Sequence, residues 1–268
     1  MTRDAPVVLA DKLALRFGER SLWNDLSFEL ARGELLAVLG PNGTGKTSLL
    51  RILLGLLRPS SGHVEIAGGP PERSRSRIGY VPQQRIFDRD LALRGRDLVR
   101  LGLDGHRWGA GRLTADERAR VDRALDEVGA TPYADAPIGR LSGGEQQRLR
   151  IAQALVAEPV LLLADEPLLS LDLAYQSIIT GLLDAHRRSA GTPIVFVTHD
   201  INPVHSMVDR VLYLAPGRWA IGKPDEVLTS ETLTDLYGTP VDVLRVRGRV
   251  VVVGTPDDQH VHHVDHAH

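Results

Sequence analysis

The apolar residues of this chain follow two patterns. Partial alternation with polar residues marks Val7–Phe17, Leu26–Leu30 and His63–Ile66 as half-covered strands. Uninterrupted apolar runs mark Leu35–Leu39, Val160–Ala164 and Ile194–Val197 as strands covered on both faces, as in the middle of a parallel sheet. Ile78–Val81 is a further short strand that stops at Pro82. Helical spacing follows several of them: about Gly45 to Leu57, Leu173 to Ser189, Asn202 to Val208, Pro224 to Leu228 and Glu231 to Tyr237. Arg58 to Gly62 is a breaker cluster, and Pro70 to Arg77 reads as a polar loop. Val211–Leu214 with Trp219–Ile221, and Val241 to Val253, read as hairpins. Strands alternating with helices predict an α/β fold with a mostly parallel sheet, and the early alternating strands predict an antiparallel β subdomain at the N-terminal end.

Between about 84 and 140 the strands vanish. Leu91 to Leu103 and Thr114 to Val128 have helical character, and Thr114 to Glu117 has capping-box spacing. A glycine-rich loop from Asp104 to Arg112, with Trp108, separates them. This stretch is predicted to be a helical insert. Leu141 then opens a strong helix running to about Ala157, with Ser142 and Glu145 again at capping-box spacing.

Chemistry enters with the residues that follow the buried strands. Leu35–Leu39 leads into Gly40-Pro41-Asn42-Gly43-Thr44-Gly45-Lys46-Thr47 and then Ser48, which matches the phosphate-binding pattern G-x-x-x-x-G-K-[ST] between a strand and a helix. Its backbone N–H groups and the positive end of the helix are suited to phosphate oxygens. Lys46 is one of only three lysines (with Lys12 and Lys223), so a chain that otherwise uses arginine keeps a compact ammonium here. Val160–Ala164 leads into Asp165-Glu166. A carboxylate at a strand's carboxyl end beside the phosphate loop can hold Mg²⁺ together with the Thr47 hydroxyl. Glu166 is the candidate general base towards the attacking water. His199 follows Ile194–Val197 and Gln83 follows Ile78–Val81. His199 is placed to meet the γ-phosphate or the water. Gln83 is placed to meet Mg²⁺ or water.

The bulk figures exclude more than they propose. A chain of 268 residues with formal net charge −2 has no charge footprint for nucleic acid. The absence of cysteine leaves neither disulfides nor thiol chemistry, which fits a reducing cytosol. Met1 to Ala10 is too short and mixed for a secretory signal, and no run of apolar residues is long enough to span a bilayer.

Together with Leu141-Ser142-Gly143-Gly144-Glu145-Gln146-Gln147-Arg148, these motifs resemble the ATP-binding subunit of an ATP-binding cassette (ABC) transporter over roughly residues 7 to 238. The resemblance implies a P-loop, RecA-like fold. It implies that Phe17 stacks on adenine, that Gly40–Thr47 is the Walker A loop and that Gln83 is the Q-loop glutamine. It further implies that Asp165 is the Walker B aspartate, Glu166 the catalytic glutamate, Ser170-Leu171-Asp172 the D-loop and His199 the switch histidine. In the family two such subunits close head to tail on ATP, with the signature helix of one facing the phosphate loop of the other. Ser142, Gly143, Gly144 and Glu145 would then serve a partner's nucleotide, and an ordinary helix start leaves the Gly-Gly pair without a reason.

The resemblance also implies separate integral-membrane permease subunits gripped by the 84–140 insert, an extracytoplasmic substrate-binding protein, and a place on the cytoplasmic face of the membrane. Tyr80-Val81-Pro82-Gln83-Gln84 with Arg96-Asp97-Leu98-Val99 and Gly102 is most similar to the manganese and zinc importer group, less clearly to the siderophore and cobalamin group. A soluble cassette ATPase of translation or DNA maintenance is the alternative from another class. Beyond a β extension at 239–259, the end of the chain carries His260, His262, His263, Asp265, His266 and His268, either a metal-binding tail or an inert one.

Overall fold

The computed structural model describes residues 5–83, 87–104 and 113–254. The histidine-rich tail, Trp108 and Gln84 lie outside the described residues. In chain order the elements are β1 (Val8–Phe17), β2 (Arg20–Leu30), β3 (Leu35–Leu39), α1 (Lys46–Leu53), β4 (Ser61–Ile66), α2 (Pro71–Ser74), β5 (Ile78–Val81), α3 (Gly95–Asp104) and α4 (Ala115–Glu127). They continue with α5 (Gly143–Leu155), β6 (Leu161–Asp165), α6 (Leu173–Ala190), β7 (Ile194–Val197), β8 (Arg210–Ala215), β9 (Arg218–Gly222), α7 (Pro224–Val227), α8 (Ser230–Tyr237), β10 (Val241–Val246) and β11 (Arg249–Gly254).

A six-stranded sheet in the order β5-β6-β7-β3-β8-β9 forms the centre, parallel except for the last strand. β3, β6 and β7 are buried along their whole length, as their unbroken apolar runs require. Alternate residues of these strands feed two cores. Leu35, Ala37, Leu162, Ala164, Ile194 and Phe196 face α5, α6 and the helical insert. Leu36, Val38, Leu161, Leu163, Val195 and Val197 face α1 and the antiparallel sheet β2-β1-β4. The strand repeat of two residues thus lets one short run join two layers.

Four local expectations are corrected. The helix after the phosphate loop stops at Leu53, because the Leu56 N–H returns to the Arg51 carbonyl at 2.8 Å. The segment Pro70–Arg77 is not a loop but α2 followed by a 3-10 turn. Pro71 sits in the first turn, where its missing N–H costs nothing, and the buried Ser74 hydroxyl donates to the Ile66 carbonyl at 3.0 Å. α3 begins at Gly95 rather than Leu91, because Leu93 and Arg94 pair with the backbone of residues 137 and 138 instead. The stretch from Asn202 to Val208 keeps only a 3-10 turn at His205–Met207. Asn202 spends its N–H on Asp200, and Pro203 has none to give.

α3 and α4 pack against α5, so the signature helix belongs to the core shared with the insert. β10 and β11 form a two-stranded hairpin beside α8.

Candidate functional site

The strand order decides which chain segments meet. β5, β6, β7 and β3 are neighbours and parallel, and their register aligns Val81 with Ala164, Asp165 with Val197, and Val38 with Val197. Their carboxyl ends therefore form one edge. That edge carries Gln83, Asp165 with Glu166, His199, and the loop from Gly40, although these residues are spread over most of the chain. Ligands of parallel α/β sheets collect at such an edge.

A cavity of about 850 Å³ opens there. Gly40, Pro41, Asn42, Gly43, Gly45, Lys46, Thr47 and Ser48 line its floor; Gln83, Glu166 and His199 line one side and Phe17 another. Phe17 is 54% exposed, its ring free for stacking. Thr44 does not line the cavity: it is buried and its hydroxyl donates to the Pro41 carbonyl at 2.9 Å, which stiffens the loop. Gly40 is required by geometry. It has φ +134°, and a Cβ there would stand 2.0 Å from the Leu214 carbonyl oxygen.

Lys46 donates to the Gly40 carbonyl at 2.7 Å and the Pro41 carbonyl at 2.9 Å, so its ammonium lies folded onto its own loop. Burial pulls its pKa below the usual lysine range, against the raising effect of Glu166 and Asp165. Asp165 is buried at the end of β6, and that burial pushes its pKa above the usual carboxylate range. A hydrogen bond with Thr47 pulls the other way, and the charge of Glu166 adds to the rise. Tyr80 reaches the same carboxylate, its hydroxyl donating at 3.5 Å. Burial is the first cause of a raised Tyr80 pKa and Asp165 the second. For both the Asp165 carboxylate and the Lys46 ammonium, loss of solvation outweighs their mutual attraction. Asp165 beside the Thr47 hydroxyl is an all-oxygen donor set of the kind a hard divalent cation takes, so these residues fit Mg²⁺.

Glu166 is held in an uncommon backbone state, φ +46°, with its N–H donating to the Val197 carbonyl at 2.9 Å. This turns its side chain off the strand direction and towards Gln83, whose Nε2 donates to Glu166 Oε2 at 3.2 Å. Strain of this kind in a non-glycine residue concentrates at functional positions.

The signature residues lie elsewhere. Ser142 caps α5: its Oγ accepts from the Glu145 N–H at 3.4 Å, and Glu145 Oε2 accepts from the Ser142 N–H at 2.8 Å. Neither they nor Gly143 and Gly144 line the cavity. Gly144 has a local reason that the sequence reading lacked. It is buried, and a Cβ there would stand 2.2 Å from Cδ1 of the Tyr175 ring on α6. Asp172 also lies off the cavity, where Oδ1 caps α6 by accepting from the Tyr175 N–H at 2.9 Å. The sequence reading missed Arg20, Leu22 and Leu169, which line the cavity, and Tyr80. Arg20 Nη2 donates to the Gly43 carbonyl at 3.1 Å, bringing a cation to the loop from the start of β2. Nothing in the pattern around Arg20 announces this reach.

Among the described residues no helix is long and apolar enough to cross a membrane. Residues 23–169 match the sequence profile of the family described as ABC transporter. The chain is 34% identical to the manganese transport system ATP-binding protein MntB of Halalkalibacterium halodurans, over 92% of this chain and 98% of that one. It is 32% identical to the zinc import ATP-binding protein ZnuC of Pseudomonas fluorescens, over 98% and 89% respectively. Among solved structures it is similar to one described as a metal-chelate type ABC transporter in an inward-facing conformation, with TM-score 0.78 and 31% identity, covering 95% of this chain and 98% of that one. With the phosphate loop, the acidic strand end and His199 meeting at one sheet edge, and with relatives matched along nearly their whole length, this chain belongs to the ATP-binding subunits of the ABC transporter family.

Proposed function

We propose that this subunit hydrolyses ATP to drive import of a divalent metal ion, zinc or manganese, through separate permease chains. The observation that carries the ATPase part is the convergence of Gln83, Glu166, His199 and the Gly40–Thr47 loop on one cavity. The metal cargo is supported by relatives named for zinc and manganese transport and matched over nearly all of this chain. Residues 7–238 form the cassette, with the insert near 84–140 as the permease-facing part and 239–259 as an extension. The subunit sits at the cytoplasmic face of the membrane and works with an extracytoplasmic substrate-binding protein.

In this reading Phe17 stacks on adenine, and Lys46 leaves the Gly40 and Pro41 carbonyls to meet the terminal phosphates. Mg²⁺, when bound with ATP, neutralises phosphate charge, and Asp165 and Thr47 are the residues that hold it, with Gln83 near by. Glu166 takes a proton from the attacking water. Gln83 must release the Glu166 oxygen it now contacts, or leave the second one free for the water. His199 contacts the γ-phosphate or the water from the neighbouring strand.

Ser142, Gly143, Gly144, Glu145 and Asp172 serve the nucleotide of a second copy in a head-to-tail homodimer. The start of α5 presents a positive dipole end, and it lines no part of this chain's own phosphate cavity.

Steady-state ATPase of Glu166→Gln tests the chemistry: turnover equal to wild type would overturn the assignment of the base. Ser142→Arg should still bind ATP weakly and lose dimerisation and turnover; retained cooperative hydrolysis would refute the shared site. Growth of a deletion strain under chelation, restored by Zn²⁺ or Mn²⁺ added singly, tests the cargo, and no rescue by any divalent ion would sink it.

A further inference from the structure

The loop after β7 carries His199, and it is tied to an element outside the cavity. Asn202 turns its side-chain amide onto the backbone of Val250 in β11. Nδ2 donates to the Val250 carbonyl at 2.9 Å, and Oδ1 accepts from the Val250 N–H at 2.8 Å. A primary amide offers the same donor and acceptor as a peptide edge, so this pair is one rung of a sheet ladder supplied by a side chain.

The bonds continue inward. Asp200 Oδ1 accepts from the Asn202 N–H at 2.9 Å and from Nδ2 at 2.7 Å. The Asp200 N–H donates to Thr198 Oγ1 at 3.2 Å, and that hydroxyl donates back to the Asp200 carbonyl at 2.9 Å. Thr198 N–H donates to the Val38 carbonyl of β3 at 3.1 Å. His199 therefore sits between two fixed points: the strand that enters the phosphate loop, and the hairpin.

The hairpin can serve as a fixed point because it is itself anchored. Val241 and Val250 are each only 5% exposed and belong to the core. The Val241 N–H donates to Thr234 Oγ1 at 3.0 Å and the Val243 N–H to Ser230 Oγ at 2.8 Å, which tie β10 to α8.

We propose that Asn202 is a positioning residue for hydrolysis, and that the hairpin β10–β11 braces the switch loop so that His199 is held at the cavity. The proposal rests on the reading of His199 as a group that meets the γ-phosphate or the attacking water. A rung that only adds stability would change unfolding. A brace changes turnover while leaving nucleotide affinity alone, since the phosphate loop hangs from β3 and α1.

The test compares Asn202→Ala, Val250→Pro and His199→Ala in the full chain. Val250→Pro removes the N–H from the other side of the rung and leaves Asn202 intact, so one variant stays informative if the other fails to fold. ATPase turnover is measured on variants shown to be folded by circular dichroism, and nucleotide affinity with a fluorescent ATP analogue. Misplacing a catalytic group slightly is expected to cost about tenfold in kcat for Asn202→Ala and Val250→Pro. Affinity stays within about twofold, and Asn202→Gln, which keeps the amide, recovers part of the loss. Adding Asn202→Ala to His199→Ala costs nothing more. Wild-type kcat in folded Asn202→Ala and Val250→Pro, with His199→Ala slowed but measurable, overturns the brace alone. So does an equal further loss in the His199→Ala background. Full turnover in His199→Ala overturns the reading of His199 on which the brace depends.

Discussion

Gly144→Ala isolates a single steric contact. An alanine Cβ at this position would lie 2.2 Å from Tyr175 Cδ1 and 2.4 Å from Cε1, so the ring or the helix must move by roughly 1 Å to restore van der Waals distance. Tyr175 is half-buried, so the ring can give partly, and overpacking here costs up to about 1–3 kcal/mol. The same substitution in a helix with nothing above it gains up to about 1 kcal/mol, because glycine is the poorer helix former. The sign should therefore depend on the partner. In the natural background Gly144→Ala lowers Tm, by about 2–4 °C per kcal/mol for a chain of this size. In a Tyr175→Ala background it leaves Tm unchanged or raises it. The coupling between the two sites is then about 1–4 kcal/mol, well above the additivity error. The assay is thermal unfolding of the four proteins of the cycle without nucleotide. If Gly144→Ala is as stable as the parent, or equally destabilising in both backgrounds, the contact with Tyr175 is not why glycine stands there. ATPase of the same four proteins adds a second reading. Turnover that returns with stability in the double variant assigns Gly144 to packing and leaves ligand contact to its neighbours.

Three further outcomes follow from the site. Asp165→Asn should raise the stability of the nucleotide-free protein at neutral pH while abolishing Mg²⁺-dependent hydrolysis. The direction comes from burial, which raises the Asp165 pKa in the folded state. The folded form then binds the proton more tightly, so the wild type loses stability as pH rises from the unfolded value through the folded one. The advantage of the variant in thermal unfolding should shrink as pH falls to the ordinary carboxylate range, and an advantage independent of pH would refute this. Gly40→Ala should abolish ATP binding in a nucleotide-binding assay, since its Cβ would meet backbone rather than a movable side chain. Arg20→Ala should weaken nucleotide affinity by about threefold to tenfold in the same assay, without moving the turnover of the saturated enzyme.

The parts of the site that apolar pattern made legible each follow a strand whose run is unbroken; Phe17 and Gln83, at and after mixed strands, came from the family resemblance or from a strand end. Leu35–Leu39, Val160–Ala164 and Ile194–Val197 mark parallel strands, and the residues after them, the phosphate loop, Asp165 with Glu166, and His199, meet at the sheet edge. What escaped depends on contacts between distant elements. Arg20 reaches Gly43 from a strand of the antiparallel sheet, and Tyr80 reaches Asp165 from β5. Asn202 read as part of a helix because its partner, Val250, lies forty-eight residues on. Gly144 also packs beneath Tyr175, and no local pattern announces that ring. Pattern reports what a residue does for its own element; it is silent where a side chain works for another.

The order of the central strands also bears on how the cell can judge this protein. Only the Gly40–Ser48 part of the cavity is local. Its walls come from segments near residues 17, 45, 83, 166 and 199, and they meet only after β5, β6, β7 and β3 have docked side by side. Assembly of such non-local parallel pairings is slow, and until it is complete Gln83, Glu166 and His199 do not face the loop. Binding is thus a report on the whole sheet. ATP at a hundred times its dissociation constant adds about 2.7 kcal/mol to the finished fold and nothing to a partial one. Nucleotide thus rewards the completed strand order, not any one segment of it.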